Sequence, residues 1–175
     1  MTPADQTFFA GIKLLLLDVD GVLTDGNIIY TGSKLETKVF SVQDGLGLKM
    51  LMSVGLRVGI VTGRSSSALI RRCRELGIAH VHDDVWDKGA RLDDILLETG
   101  LASPREAAFV GDDLPDISLL KKVGLPIAVA NAHPEVKKVA AMVTTARGGH
   151  GAVREVCEAL LQAQGLWERA MASYL

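Results

Sequence analysis

The sequence predicts a three-layer, doubly wound α/β fold built on a mostly parallel sheet. Short apolar runs alternate with segments in which apolar residues recur at helical spacing, and this order continues along most of the 175 residues. Several runs end abruptly in carboxylate or hydroxyl residues, and open parallel sheets bind their ligands at that carboxyl edge. Residues 26–40 depart from the alternation, because a Gly-Ser turn between β-branched and aromatic residues is typical of a β-hairpin.

The apolar runs give the strands. Each is short, rich in Leu, Val or Ile, and followed by glycine or polar residues that favour a turn. Strands are therefore expected near residues 12–18, 57–62, 78–82, 107–111 and 125–130, with a further short strand near Met142.

The segments between the strands give the helices, expected near residues 45–54, 65–76, 89–99, 114–122 and 151–163. Beyond Gly165, Trp167, Met171 and Leu175 recur at four-residue spacing, which predicts a short helix in the C-terminal tail, residues 165–175. This tail either packs on its own subunit or reaches the site of a neighbouring one. Because nearly half of the residues are apolar and no linker or repeat interrupts the pattern, residues 1–175 are expected to form one domain.

Asp18 and Asp20 follow the first apolar run, Leu14–Leu17, with one residue between them. Carboxylates buried there without a partner would carry a large desolvation cost, so a cation such as Mg²⁺ is expected beside them. Asp18 could attack phosphorus, while Asp20 could protonate the leaving group and then accept a proton from water. An Asp-x-Asp pair also occurs in ordinary turns, and the pair alone leaves both interpretations open.

Three more polar groups follow later strands. Thr62 ends one run and precedes a helix start, where free backbone amides favour phosphate. Lys88 opens a helical segment, although a lysine there opposes the helix dipole. A carboxylate cluster follows the run at 107–111 and comprises Asp112, Asp113 and Asp116. Taken singly, these residues could be a turn hydroxyl, a surface lysine and helix caps.

In this order, Asp18, Asp20, Thr62, Lys88 and Asp112 resemble the four motifs of the haloacid dehalogenase superfamily of phosphotransferases. The resemblance implies that Asp18 is the nucleophile and Asp20 the general acid and base. It implies Mg²⁺ bound by the Asp18 and Asp112 side chains and the Asp20 backbone carbonyl. Thr62 and Lys88 would contact the phosphoryl group, and Asp113 and Asp116 would support the metal and the lysine.

The spacing of the motifs leaves no room for a cap domain. Between Thr24 and Arg57 lie only the hairpin and one helix, about thirty residues, whereas a domain usually needs at least ~50. Without a cap, the site must either accept large substrates or be closed by another subunit.

Local segments resemble more narrowly the capless 3-deoxy-D-manno-octulosonate 8-phosphate phosphatase family. They are the hairpin, Asp44-Gly45-Leu-Gly47, Thr62-Gly63-Arg64-Ser65-Ser66 and the Gly148–Glu155 stretch. The resemblance implies a homotetramer whose hairpins assemble together. It also implies that the substrate is a sugar-acid phosphate of lipopolysaccharide sugar synthesis. Val85-Trp86 before the Asp-Lys pair departs from the family pattern.

Gly63, Arg64 and Arg147 are the candidate substrate-binding residues. The two arginines are chosen because an anionic keto acid favours guanidinium contacts. The sequence leaves two other functions open. One is a phosphatase for a nine-carbon, sialic-type sugar-acid phosphate, and the other is a catalytically silent regulatory module. The intact motif carboxylates and Lys88 argue against the silent module.

Composition excludes several other classes. The formal net charge of −2 argues against a nucleic-acid partner, which usually requires a basic face. No signal peptide or membrane-spanning run is evident, so a cytoplasmic location is expected. Cys73 and Cys157 lack a Cys-x-x-Cys spacing, and the four histidines show no zinc-ligand spacing.

Overall fold

The structure, a computed structural model, describes residues 9–31 and 35–175. Its centre is a six-stranded sheet of strands β1 (Leu14–Leu17), β4 (Arg57–Val61), β5 (His80–His82), β6 (Ala107–Gly111), β7 (Leu125–Ala128) and β8 (Met142–Val143). The strand order is β5-β4-β1-β6-β7-β8, and every neighbouring pair is parallel. The predicted fold class is confirmed. Each predicted strand is present, although most are shorter at their ends.

The sheet places β1 at the point where the chain changes direction. From β1 the chain adds β4 and β5 on one side and then β6, β7 and β8 on the other. Residues of β1 are fully buried, as expected for a strand covered on both faces. The carboxyl ends of β1, β4 and β6 therefore meet at the position where doubly wound sheets bind ligands.

The helices form two packing groups. The first contains α1 (Val42–Ser53), α2 (Ser67–Leu76), α6 (Ala152–Ala163) and α7 (Trp167–Met171). The second contains the short helices α4 (Ile117–Leu120) and α5 (Pro134–Val139), which contact each other and β7. Helix α3 (Leu92–Thr99) connects β5 to β6. None of the helices in residues 9–31 and 35–175 is both long and apolar enough to cross a membrane.

Several helix boundaries differ from the sequence prediction. Helix α1 begins three residues earlier because Ser41 caps it, its hydroxyl accepting a hydrogen bond from the Asp44 amide at 3.3 Å. The predicted helix 114–122 is a 3₁₀ turn, Leu114–Asp116, followed by α4. Helix α5 was missed, although His133 caps it and Pro134 occupies its first turn.

The hairpin is present between β1 and α1. Strand β2 (Ile29–Thr31) pairs antiparallel with β3 (Leu35–Thr37). The Gly-Ser turn predicted to join them falls at residues 32–34, outside the described residues. Between β1 and β4, the described residues hold only this hairpin and α1, as expected for a chain without a cap.

The C-terminal tail contains the predicted helix, α7, and this helix packs on its own chain. Ala170 is buried, and Trp167 and Met171 pack against the core. Leu175 lies beyond the helix and is exposed, so it does not extend the predicted apolar face. The other alternative, in which residues 165–175 reach the site of a neighbouring subunit, stays a prediction.

Helix α1 and helix α6 are joined through a buried carboxylate. Asp44 is almost inaccessible, and its side chain accepts hydrogen bonds from the backbone amides of Arg154 at 2.7 Å and Gly151 at 3.4 Å. These amides belong to the start of α6, where a negative charge is favourable. Burial nonetheless raises the pKa of Asp44 above its ordinary value. The Asp-Gly-x-Gly segment thus has a structural role beside the site.

The glycine-rich loop before α6 packs directly on the loop after β1. The Gly149 amide donates to the Val22 carbonyl at 2.9 Å, and a β-carbon on Gly148 would lie 1.6 Å from the Gly21 carbonyl oxygen. Only a residue without a side chain permits this approach. The glycine loop therefore supports the segment that carries Asp20.

Gly148→Ala is expected to destabilise the protein, because the methyl group would force two backbone segments apart. We expect a loss of about 1–3 kcal/mol in the free energy of unfolding. Gly11→Ala is the matched control, since a β-carbon there meets nothing within 4 Å. Chemical denaturation of both variants measures the difference. Equal stability of the two variants would show that the loops do not pack this closely.

Candidate active site

The sequence-predicted polar groups converge on one cleft at the carboxyl edge of the sheet. Its volume is about 410 Å³. The residues that line it are Asp18, Asp20, Gly26, Thr62, Gly63, Arg64, Val85, Trp86, Lys88, Asp112, Asp113, Pro115 and Asp116. Of the candidate site residues, only Arg147 is absent from this lining.

Lys88 joins two carboxylates at the floor of the cleft. Its ammonium nitrogen lies 2.8 Å from Asp18 Oδ1 and 2.6 Å from Asp116 Oδ1, and the side chains of all three residues are buried. Burial disfavours the ammonium form, but the two carboxylates more than offset this effect and raise the pKa of Lys88. Lys88 lies in the turn before α3, which begins at Leu92 rather than at the predicted residue 89. The position of Lys88 is therefore explained by its salt bridges to Asp18 and Asp116 and not by helix capping.

Asp116 holds Lys88 and also shapes the loop after β6. Its second oxygen, Oδ2, accepts hydrogen bonds from the backbone amides of Asp112 at 2.8 Å and Asp113 at 3.2 Å. Asp113 is exposed and caps the same turn through the Leu114 amide at 2.8 Å. Both oxygens of Asp116 are thus already engaged within the protein.

The charges of Asp18 and Asp112 are only partly compensated. Burial first, and then the neighbouring charge of Asp116, raise the pKa of Asp18 to about 6, although Lys88 opposes the shift. Burial and then the charges of Asp18, Asp116 and Asp113 raise the pKa of Asp112 to about 8. These directions indicate a site with too few cations for its carboxylates.

The donor set suits a divalent metal ion such as Mg²⁺. Carboxylate oxygens of Asp18, Asp112 and Asp116 lie within 4.8 Å of one another, and Asp112 Oδ1 is buried without a hydrogen-bond partner. With Lys88 included, three carboxylates and one ammonium leave two negative charges in the ionised cluster. Because both oxygens of Asp116 accept other bonds, Asp18 and Asp112 are the better candidates for side-chain ligands.

Gly21 makes room for this cluster. It has a positive φ of 91°, and a β-carbon there would lie 2.0 Å from Asp112 Oδ2. A side chain would therefore be both strained and in conflict with Asp112. The glycine between Asp20 and Val22 thus has a steric role at the site.

Thr62 directly follows the neighbouring strand, β4, and lines the cleft. Its side chain is buried, its amide donates to the His82 carbonyl at 3.0 Å, and its carbonyl accepts from the Val85 amide at 3.0 Å. These bonds attach it to the loop after β5. Gly63 and Arg64 follow directly in the lining of the cleft.

Asp20 is held by the hairpin, which sequence reasoning did not foresee. The buried ammonium of Lys38 forms ion pairs with Asp20 and, at 2.7 Å, with Glu36. Arg64 contacts Glu36 at 2.7 Å and Asp20 at 3.7 Å. Glu36 and Lys38 are two residues apart in sequence, and this spacing places side chains on one face of an extended segment. It was the sequence signal that could have predicted a charged pair on the hairpin.

Arg147 does not join this network. It is exposed, and it lies outside the lining of the cleft. Its backbone carbonyl accepts from the His150 amide at 3.0 Å within the glycine-rich loop. The contact between Arg147 and substrate stays a prediction.

The fold and the arrangement of the cleft define a hydrolase of the haloacid dehalogenase class. A family model described as haloacid dehalogenase-like hydrolase matches residues 77–156. The 3-deoxy-D-manno-octulosonate 8-phosphate phosphatase KdsC of Salmonella typhimurium is 43% identical over 170 residues, covering 97% of this chain and 90% of that relative.

Solved structures similar to this chain belong to the same phosphatase family. A phosphatase of the same name from Moraxella catarrhalis, in complex with magnesium, phosphate and 3-deoxy-D-manno-octulosonate (KDO), is 40% identical with a TM-score of 0.95, and both chains are covered completely. A cobalt-bound relative from Haemophilus influenzae is 38% identical, with a TM-score of 0.87 over 90% of this chain and 92% of that one. The chain belongs to the 3-deoxy-D-manno-octulosonate 8-phosphate phosphatase family.

Asp112→Asn is expected to stabilise the metal-free protein at alkaline pH. Because the folded pKa of Asp112 is raised to about 8, the folded state holds a proton that the unfolded carboxylate has already lost. Above the ordinary carboxylate pKa, rising pH therefore lowers the free energy of unfolding until Asp112 is ionised. Melting curves in chelator between about pH 6 and about pH 9 should show a smaller decline for the variant than for wild type.

The same variant should lose stabilisation by Mg²⁺. Added Mg²⁺ is expected to raise the Tm of wild type and of Asp93→Asn, an exposed carboxylate on α3, but not that of Asp112→Asn. An equal Mg²⁺ effect on all three proteins would remove Asp112 from the metal site.

Proposed function

We propose that the chain hydrolyses 3-deoxy-D-manno-octulosonate 8-phosphate to the free sugar acid and phosphate, with Mg²⁺ as its metal ion. The observation that carries this proposal is the pair of salt bridges from Lys88 to Asp18 and Asp116, beside the unpartnered oxygen of Asp112. Membership of the phosphatase family supports the substrate. The Moraxella relative, which holds magnesium, phosphate and KDO, supports both the metal and the sugar.

In the proposed reaction, the Asp18 carboxylate attacks phosphorus and the bond from phosphorus to the sugar oxygen breaks. Asp20 donates its proton to that oxygen, and the phosphoryl group is left on Asp18. Asp20 then takes a proton from water, whose oxygen attacks phosphorus and releases Asp18 and inorganic phosphate. Two proton transfers at Asp20 thus balance the two steps.

The remaining residues stabilise and position the groups that react. Lys88 places one positive charge beside Asp18, and Thr62 offers a hydroxyl to the phosphoryl oxygens. Asp18 and Asp112 would hold the metal by their side chains and Asp20 by its backbone carbonyl, with Asp113 and Asp116 in support. The bound ion supplies positive charge against the phosphoryl oxygens.

Lys38, Glu36 and Arg64 orient Asp20. An ammonium and a guanidinium on the same carboxylate restrict its rotation, which matters for a group that must face first the leaving oxygen and then water. Arg64 also lines the cleft and is available to an anionic sugar acid. Arg147, outside the lining, is the less favoured of the two arginines.

Asp18→Asn is expected to reduce phosphate release by about 10³-fold or more, because the amide is a poor nucleophile and a poor metal ligand. The matched control is Asp25→Asn, an exposed carboxylate farther along the same loop that accepts hydrogen bonds from Asn27. Each protein is assayed with eight- and nine-carbon sugar-acid phosphates in Mg²⁺. Faster wild-type turnover of the nine-carbon substrate would overturn the substrate assignment.

We also propose that the chain forms a homotetramer through its hairpin, residues 26–40. Ile28 is 43% exposed, Ile29 44% and Val39 63%, which is more apolar surface than a two-stranded ribbon usually presents to water. A tetramer formed this way would bring neighbouring chains close to the open clefts.

The charged substrate does not cross a lipid bilayer unaided, so we place the reaction in the cytoplasm.

Ile28→Glu with Ile29→Glu is expected to yield smaller species by light scattering, because charges would be buried in the proposed contact. Tyr30 is left unchanged since it contacts Arg64. Leu97→Glu serves as the control, because Leu97 is 83% exposed and lies on α3, away from the hairpin in the sequence. A wild-type chain that is monomeric at micromolar concentration would exclude the tetramer.

A further inference from the structure

One aromatic residue at the cleft has no role in the proposed chemistry. Trp86 lines the cleft that holds Asp18 and Lys88, yet 90% of its surface is exposed. An indole exposed this fully at the lining of the cleft leaves a large apolar area available to a bound molecule.

The loop that carries Trp86 is held firmly. The Val85 amide donates to the Thr62 carbonyl at 3.0 Å, and Asp83 accepts a hydrogen bond from the Ser65 hydroxyl. On the other side, the Ala90 amide donates to Asp87 at 3.1 Å. The backbone on both sides of Trp86 is therefore attached to the segment that follows β4 and to the turn that carries Lys88. Its place at the cleft follows from these bonds.

The lining has a distinct distribution of polarity. Its floor consists of the charged groups that would engage the phosphate, whereas Val85, Trp86 and Pro115 contribute apolar surface. A phosphate ester bound by Asp18 and Lys88 would have its organic part extending toward the mouth of the cleft. Sugars present faces of carbon-bound hydrogens, which pack favourably on the flat face of an indole.

We propose that Trp86 contacts the sugar part of the substrate and selects large sugar-acid phosphates over small phosphate esters. The proposal rests on the phosphatase function above. In a chain without a cap domain, this side chain supplies apolar contact to the leaving group from within the same subunit. Its contact acts on substrate binding and not on the bonds that break, so KM is expected to change more than kcat.

The test compares Trp86→Ala, Trp86→Phe and wild type on two substrates. For the eight-carbon sugar-acid phosphate, Trp86→Ala should lower kcat/KM about tenfold, mainly through KM, and Trp86→Phe should restore most of it. For glycerol 3-phosphate, a phosphate ester whose organic part is small, the loss should be less than about twofold. Leu97→Ala, on α3 and 83% exposed, is the control for loss of an exposed apolar side chain.

A binding measurement separates this proposal from the phosphatase function. Titration with the free sugar acid should change the tryptophan fluorescence of wild type and leave that of Trp86→Phe, which retains Trp167, unchanged. Equal losses of kcat/KM on both substrates, or a smaller oligomer in Trp86→Ala, would overturn the proposal and assign Trp86 to general structure or a subunit contact. A wild type inactive on the sugar-acid phosphate would instead overturn the proposed function.

Discussion

The site depends on one buried ammonium group. Lys88 lies between Asp18 and Asp116 and places one positive charge against both buried carboxylates. The same pair of contacts joins the loop after β1 to the loop after β6 through a residue that follows β5. Removing the lysine would leave uncompensated carboxylates in a low-dielectric position, which costs more than the loss of an ordinary surface ion pair.

The Lys88 ammonium compensates only part of the negative charge of the buried carboxylates. In the proposed mechanism, the remaining negative charge binds the metal ion. Asp112 keeps a buried oxygen without a partner, and burial, followed by the charges of the neighbouring carboxylates, raises its pKa. The excess negative charge of such a site destabilises the folded protein when the site is empty, but it interacts favourably with a divalent cation that in turn binds a phosphoryl group. Stability is thus lower where binding is strongest, a common feature of active sites.

Much of this arrangement could be predicted from the sequence. The apolar runs that end in Asp18, Thr62 and Asp112 located three sides of the cleft, because parallel strands place their carboxyl ends at one edge. Lys88 was located because its position opposed the helix dipole, although the helix itself begins at Leu92. These inferences needed only the spacing of apolar residues in each segment and the polar residue at which the apolar run ends.

The parts that could not be predicted depend on contacts between segments distant in the chain. Lys38 reaches Asp20 only because the hairpin folds back over the loop after β1, and local pattern does not show that. Gly148 is required by its approach to Gly21, which involves residues far apart in sequence. Helix α5 was missed because its six residues are too few to show a helical period.

In the proposed mechanism, Asp18, held by Lys88, is the group that accepts the phosphoryl. The most direct measurement mixes the enzyme with sugar-acid phosphate labelled at phosphorus and quenches the reaction in acid within the first turnover. Peptide mapping should then find the label on the peptide that contains Asp18, and hydroxylamine should release it, as expected for an acyl phosphate. Label on a different residue would exclude Asp18 as the nucleophile, and so would free phosphate formed at every early time with no label on the protein.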